Sequence, residues 1–226
     1  MKEEKQKQKK RKQSNLFYDF VKVTGAIPAL LWMRPKVINA GVTKPQKIKG
    51  GVLICSNHYS LSDPVILLCV FWRRRLNSLM AKEMFNGKLL TFFFKHIHCI
   101  PVDRDNFSVG TFRTACEHLS ADRAVLIFPE GKINDSEETL LGFKTGAIRM
   151  AYRTGKPIVP VCLIKPKHKL SRRVAVLGDA IDVRALCGEK PTPDDYRRAS
   201  EFLHQKEMEL FDYYNEKKYK KKKNKD

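Results

Sequence analysis

The 226-residue chain lacks any uncharged stretch approaching the roughly 20 apolar residues that a membrane-crossing helix needs. Its longest uncharged runs cover residues 23–33 and 50–62, so no ordinary span is expected. It also lacks a Cys-x-x-Cys pair. The six cysteines, at 55, 69, 99, 116, 162 and 187, stand apart and mostly inside apolar runs. They read as small reduced core residues, which argues against a disulfide-stapled fold and against zinc. A basic start followed by residues 23–33 mimics a secretory leader, but Asp19 and Lys22 interrupt it and no small-residue cleavage site follows. Acidic residues are scarce too: 24 Asp and Glu face 44 Lys and Arg, for a net charge of +20.

That excess is uneven. Residues 1–12 carry +5 and residues 217–226 carry +6, which leaves +9 on the 204 residues between. Such charge implies an anionic partner, whether anionic lipid, nucleic acid or an acidic carrier protein. No helix-turn-helix or run of stacking aromatics among basic residues is evident, so nucleic acid is not expected.

Apolar residues make up 42% of the chain, enough for a real core. Short apolar runs fall at 52–55, 78–81, 97–102, 124–128, 158–164 and 174–177. Helical patterns lie between several of them, near 63–73, 84–95, 107–121 and 142–153. This alternation predicts a single α/β domain, with a mostly parallel central sheet covered by helices on both faces. A final helix is announced by Thr192 as cap, Pro193 in the first helical position, and Asp194 and Asp195 in the first turn. The expected organisation is a disordered basic arm (1–13), an N-terminal helical membrane-association segment (14–47), the domain (48–215) and a Lys-rich tail (216–226). Within the second part, residues 15–34 are aromatic-rich with Pro28 as a kink. They read as an interfacial helix lying in a membrane surface, with a helix packed on the domain as the alternative.

The strongest chemical signal is Ser56-Asn57-His58-Tyr59-Ser60-Leu61-Ser62-Asp63-Pro64. It follows directly on an apolar strand, which puts His58 at a strand's carboxyl end, where ligands bind in α/β sheets. A turn from strand into helix can bring Asp63 back against His58. The carboxylate then fixes the imidazole tautomer and leaves the other ring nitrogen as a base for a substrate hydroxyl. Alone, the pair also fits a capping Asp beside an unpartnered loop His. Three more segments place charges or turns at strand ends: Ile100–Arg104, Phe128–Gly131, and Lys156–Val161 at the start of a later strand. Phe92, Phe93 and Phe94 read first as the core face of a helix, and second as the wall of an acyl-chain channel.

Together and in this order, the four segments resemble the ordered motifs of the glycerolipid acyltransferases of the lysophosphatidate acyltransferase type. His-x₄-Asp matches the first, Val102-Asp103-Arg104 the second, Phe128–Gly131 the third and Val159-Pro160-Val161 the fourth. Gly142–Ala147 looks like the Phe-Lys-x-Gly-Ala stretch that follows the third. The resemblance implies a membrane-associated enzyme on the cytoplasmic face of the cell membrane, held peripherally or monotopically. It would move an acyl group from coenzyme A or acyl carrier protein to a lysophospholipid hydroxyl, with no cofactor and no metal. It makes His58 and Asp63 the catalytic pair, and Asn57, Arg104, Glu130, Gly131, Lys132, Lys144 and Pro160 the substrate-binding positions. One departure stands out. The family's third motif continues with Thr and Arg, an arginine credited with holding the acceptor phosphate, where this chain has Lys132 and Ile133. A clamp rebuilt from Lys132, Lys144 and Arg104 is the expectation.

Overall fold

A computed structural model of the protein describes residues 15–42, 44, 47–103, 108–136, 139–166, 168 and 171–223. The expected arm at 1–13 and Arg104 lie outside them. Among the described residues, β1 (Lys36–Asn39), β2 (Val52–Ser56), β3 (Leu76–Ala81), β4 (Ile100–Val102), β5 (Ala124–Ile127), β6 (Ile158–Ile164) and β7 (Val174–Leu177) form one sheet. Its order is β1-β7-β6-β2-β5-β3-β4. Neighbours run parallel except β6 and β7. The helices are α1 (Asn15–Met33), α2 (Asp63–Val70), α3 (Lys88–His96), α4 (Val109–Ser120), α5 (Gly146–Thr154), α6 (Val183–Cys187) and α7 (Pro193–Lys223).

The continuous apolar strands are buried on both sides because successive side chains point to opposite faces. On β2 and β5, Leu53, Cys55, Val125 and Ile127 join one cluster, with α4, α5 and the first half of α7. Val52, Ile54, Ala124 and Leu126 join another, with α2 and Met33 at the end of α1. Leu53, Ile54, Leu126, Ile158 and Leu163 are fully buried. Each such side chain contributes about 1.5–3 kcal/mol relative to exposure. This is the expected doubly covered sheet.

Three details differ from expectation. The segment 14–47 is not wholly helical: Lys36–Asn39 pairs in parallel with β7, extending the domain's sheet upstream of residue 48. Its four residues are too short to carry a clear alternating signal. The Lys-rich end is not a separate tail but continues α7 to Lys223. That helix starts as predicted, with Thr192 Oγ1 accepting from Asp195 N (3.3 Å) and Asp195 Oδ2 accepting from Thr192 N (2.7 Å). Finally, α1 is by length and composition able to cross a membrane, because it continues through Asp19, Lys22 and Pro28. It is nevertheless tied along the domain. Asp19 pairs with Arg75 (2.6 Å), the Tyr18 hydroxyl accepts from Leu76 N (2.8 Å), and Arg173 N donates to Met33 O (3.1 Å).

Candidate active site

β2, β5 and β6 are adjacent and parallel, so their carboxyl ends open on one edge of the sheet. His58 lies just past β2, and Asp63 begins α2 five residues later. The turn between them is held from within. Asp63 Oδ2 accepts from Tyr59 N (2.7 Å), Ser60 N (2.8 Å) and His58 Nδ1 (2.9 Å). Ser62 occupies the cap position without a side-chain capping bond, its hydroxyl pairing with the Ser60 hydroxyl (3.0 Å) while the carboxylate that follows it satisfies the turn. Asp63 is fully buried and His58 is 7% exposed. With Nδ1–H donated to Asp63, the lone pair of the imidazole sits on Nε2. Among the described residues no group hydrogen-bonds that nitrogen.

The remaining supports come from the third and fourth segments. Phe128 stacks on the imidazole with ring centroids 4.0 Å apart and planes inclined by 17°. Glu130 Oε1 accepts from His58 N (2.9 Å) and its Oε2 from Leu141 N (3.2 Å). Asn134 N donates to His58 O at 2.6 Å. Burial pushes the Glu130 carboxyl up from its ordinary value, opposed by these two amides. Asn57 closes the ladder between β2 and β6: its Nδ2 donates to Leu163 O (3.0 Å) and its Oδ1 accepts from Leu163 N (2.7 Å).

His58 opens into a cavity of about 700 Å³, within the range of small-molecule sites. Its walls are mostly apolar, with Phe93 and Phe94 from α3 and Leu68 and Cys69 from α2. The polar exceptions include three cations: Lys22 on α1, Lys144, and Arg149 on α5. Gly131 turns at φ +75°, and a Cβ there would lie 3.0 Å from Lys144 Nζ. The Lys144 chain is thus packed over the third-motif turn, and its N–H also donates to Pro129 O (2.9 Å). The Arg149 guanidinium rests 4.7 Å from the ring centre of Tyr196.

The structure therefore sorts the eight described residues expected at the site. His58, Gly131 and Lys144 line the cavity, and Asp63 touches it through His58. Asn57 and Glu130, expected on substrate, instead hold backbone amides and are buried. Pro160 is buried within β6, with its carbonyl accepting from Gly178 N (3.0 Å). It does not line the cavity. Lys132 is exposed and outside the lining. Of the three phenylalanines, Phe93 and Phe94 line the cavity whereas Phe92 is half exposed. No residue of α3 is buried, so it presents no core face. Sequence reading missed Phe128 as the stacking partner, although the motif contained it. Arg149 was missed because a lone helical arginine carries no signal until its neighbours are known. Among the described residues no three His, Cys, Asp or Glu converge as metal ligands.

Below this edge, Glu207 of α7 is fully buried and neither of its oxygens has a hydrogen-bond partner. Desolvation pushes its carboxyl well above the ordinary 4.5, with nearby Glu130 adding to the shift, which favours the neutral form. A carboxyl raised in the folded state contributes its full stability below the unfolded value and loses it as pH rises. The advantage of Glu207→Gln over the parent protein should therefore grow between pH 5 and pH 8 in thermal denaturation. A constant difference across that range would mean that Glu207 is not buried in the neutral form.

The acyltransferase family model matches residues 34–164, which is more than half of the chain. The 1-acyl-sn-glycerol-3-phosphate acyltransferase of Bacillus subtilis is 27% identical over 165 residues, covering 71% of this chain and 81% of that protein. A probable enzyme of the same name from Mycoplasma genitalium is 31% identical over 150 residues, covering 62% of this chain and 54% of that one. In fold, the chain is similar to the crystal structure of the 1-acyl-sn-glycerophosphate acyltransferase of Thermotoga maritima. The TM-score is 0.60 at 16% identity, over 87% of this chain and 79% of that one. With the family model spanning the sheet from its first strand to β6, the chain belongs to the glycerolipid acyltransferases of the lysophosphatidate acyltransferase type and is an O-acyltransferase.

Proposed function

We propose that the protein moves a fatty acyl group from a thioester of coenzyme A or acyl carrier protein to the sn-2 hydroxyl of 1-acylglycerol 3-phosphate, giving phosphatidic acid. One observation carries the reading. A buried imidazole, oriented by Asp63, opens into a largely apolar cavity that also receives Lys144 and Arg149. Nε2 of His58 removes the acceptor's proton as its oxygen attacks the thioester carbonyl. Asp63 offsets the positive charge that develops on the ring. The tetrahedral intermediate then collapses, the carbon–sulfur bond breaks, and the imidazolium returns its proton to the leaving thiolate.

In this reading Lys144 and Arg149 bind the acceptor phosphate, taking the part of the arginine that Ile133 replaces. Guanidinium suits a phosphate because two parallel N–H groups match two oxygens, and Tyr196 holds this one in place. Arg149→Ala should raise the acceptor KM by about tenfold and leave the donor KM nearly unchanged, in line with the strength of a charged hydrogen bond. Equal loss with an acceptor lacking phosphate would assign Arg149 a purely structural part.

The attachment proposed is peripheral, on the cytoplasmic face of an anionic membrane. Support comes from the charge of +20 and from α1, whose Leu16, Phe20, Leu31 and Trp32 are exposed. The substitution at Ile133 favours a second reading with another acceptor: glycerol 3-phosphate, a different lysophospholipid or an amino-lipid. Thin-layer analysis of purified protein with labelled acyl thioester and each acceptor separates the two. Preferred transfer to 1-acylglycerol 3-phosphate is the expected result, and transfer to none of the acceptors would overturn the reading.

A further inference from the structure

Helix α5 carries two arginines one turn apart, Arg149 and Arg153, and both are exposed. Residues four apart share one side of a helix and here lie about 6 Å apart along its axis. Arg149 lines the cavity, so the side that carries Arg153 continues outward from the cavity wall. Each guanidinium rests on a ring, Arg149 on Tyr196 of α7 at 4.7 Å and Arg153 on Phe112 of α4 at 5.9 Å. Both rings pack against the core cluster beneath this face. Tyr196 is held further by Tyr152, which meets it edge to face at 5.6 Å and whose hydroxyl donates to Glu189 O (2.7 Å).

The path of Arg153 points it toward the reacting edge. It stands in the last turn of α5, whereas Phe112 is in the first turn of α4, which follows the carboxyl end of β4. Helical side chains lean toward the start of their helix, so Arg153 reaches back along α5 toward the edge that holds His58. Charge around the two arginines is confined. Arg113 pairs with Glu117 (3.3 Å), Arg197 with Asp194 (3.2 Å), and Arg198 with Asp195. Among the described residues, neither Arg149 nor Arg153 forms an ion pair of this kind. The guanidinium charge left for a ligand is thus a narrow strip from Arg149 to Arg153.

We propose that Arg153, on its Phe112 platform, binds a phosphate of the acyl donor, and that the donor is therefore the thioester of coenzyme A. The proposal rests on the acyltransferase reading given above and names its donor. In that reading Arg149 holds the acceptor phosphate beside His58, which leaves Arg153 without a part although it is presented in the same way. Coenzyme A carries its phosphates on a nucleotide, separated from the sulfur by the pantetheine arm. A phosphate site is then needed outward of the one beside His58, which is where Arg153 stands. Guanidinium fits it because two parallel N–H groups match two phosphate oxygens, and a ring-backed side chain has less freedom to lose on binding. A carrier protein would press a broad acidic face on this surface. The paired charges of Arg113, Arg197 and Arg198 do not offer the broad basic face that would match it.

The test is the ratio of kcat/KM for acyl-coenzyme A to that for the same acyl group on N-acetylcysteamine, which lacks the nucleotide. Arg153→Ala should lower this ratio about tenfold, in line with loss of an exposed charged hydrogen bond, and should raise the Kd of free coenzyme A by a similar factor. The melting temperature should stay at the parent value, because the guanidinium is exposed and the Arg153 carbonyl that accepts from Arg184 is retained. An equal fall with both thioesters would make Arg153 a structural residue and overturn the proposal. So would a rise in the acceptor KM instead of the donor's, which would place Arg153 in the acceptor clamp. A loss confined to acyl carrier protein as donor would show that the strip docks a protein instead. Unchanged coenzyme A binding by a folded Arg153→Ala protein would overturn it as well. Titration with free coenzyme A needs no turnover and so separates the two readings. If no acceptor is acylated but Arg153→Ala still weakens coenzyme A binding, the catalytic reading fails and the nucleotide site stands.

Discussion

His58→Ala is expected to lower turnover at least about 100-fold, and as much as about 10⁴-fold, while the protein stays folded. The range follows from what the side chain does in the proposed reaction. A glycerol hydroxyl is a poor nucleophile until a positioned base takes its proton, and Nε2 is a buried, oriented nitrogen facing the cavity. The fold should survive because the bonds that hold this loop use the backbone of His58: its N–H to Glu130 and its carbonyl to Asn134. Loss of the ring does remove the Phe128 stack, so the melting temperature should fall modestly. Steady-state assay with both substrates saturating is the measurement. Parent-level turnover in a folded His58→Ala protein would end the general-base assignment.

The second large effect is expected at Asp63, and it differs in kind. Asp63→Ala removes the acceptor of the Nδ1 proton and so frees the imidazole to take the wrong tautomer. It also leaves the part-buried amides of Tyr59 and Ser60 without their carboxylate. An unsatisfied donor costs up to about 1–3 kcal/mol when fully buried and less when part-buried, so this variant should lose both activity, by at least about 100-fold, and some thermal stability. Asp63→Asn separates the two. Its amide oxygen can still accept from the turn, so stability should largely return. Turnover should not, because a neutral amide does little to offset the imidazolium. Rescue of turnover along with stability in Asp63→Asn would make the residue a turn support and nothing more.

Much of this protein was legible before its structure. Continuous apolar runs such as Val52–Cys55 and Ile158–Ile164 can be satisfied only by a sheet covered on both faces, and both runs are central strands. The His58–Asp63 spacing was legible for a similar reason. Five residues of strand-to-helix turn leave few paths, and one of them returns the carboxylate to the ring. Where the reading fell short, the deciding partner is distant in sequence. Asn57 and Glu130 were expected on substrate because the family resemblance implied it. Their true partners, 106 residues away at Leu163 and 72 residues away at His58, exist only once β6 and β5 flank β2.

The sequence by itself determined the layered α/β class, the strand-end histidine with its carboxylate and the basic, acid-poor character. These depend on local periodicity, short-range turn geometry and composition, none of which needs a distant contact. Tertiary structure decided which charges face the cavity. It brought Lys144 over Gly131 and placed Arg149 at the wall, while it left Lys132 outside and Pro160 within the sheet. The physical reason is that a side chain's direction is set by the element carrying it, whereas its neighbours are set by how the sheet orders strands that are far apart along the chain.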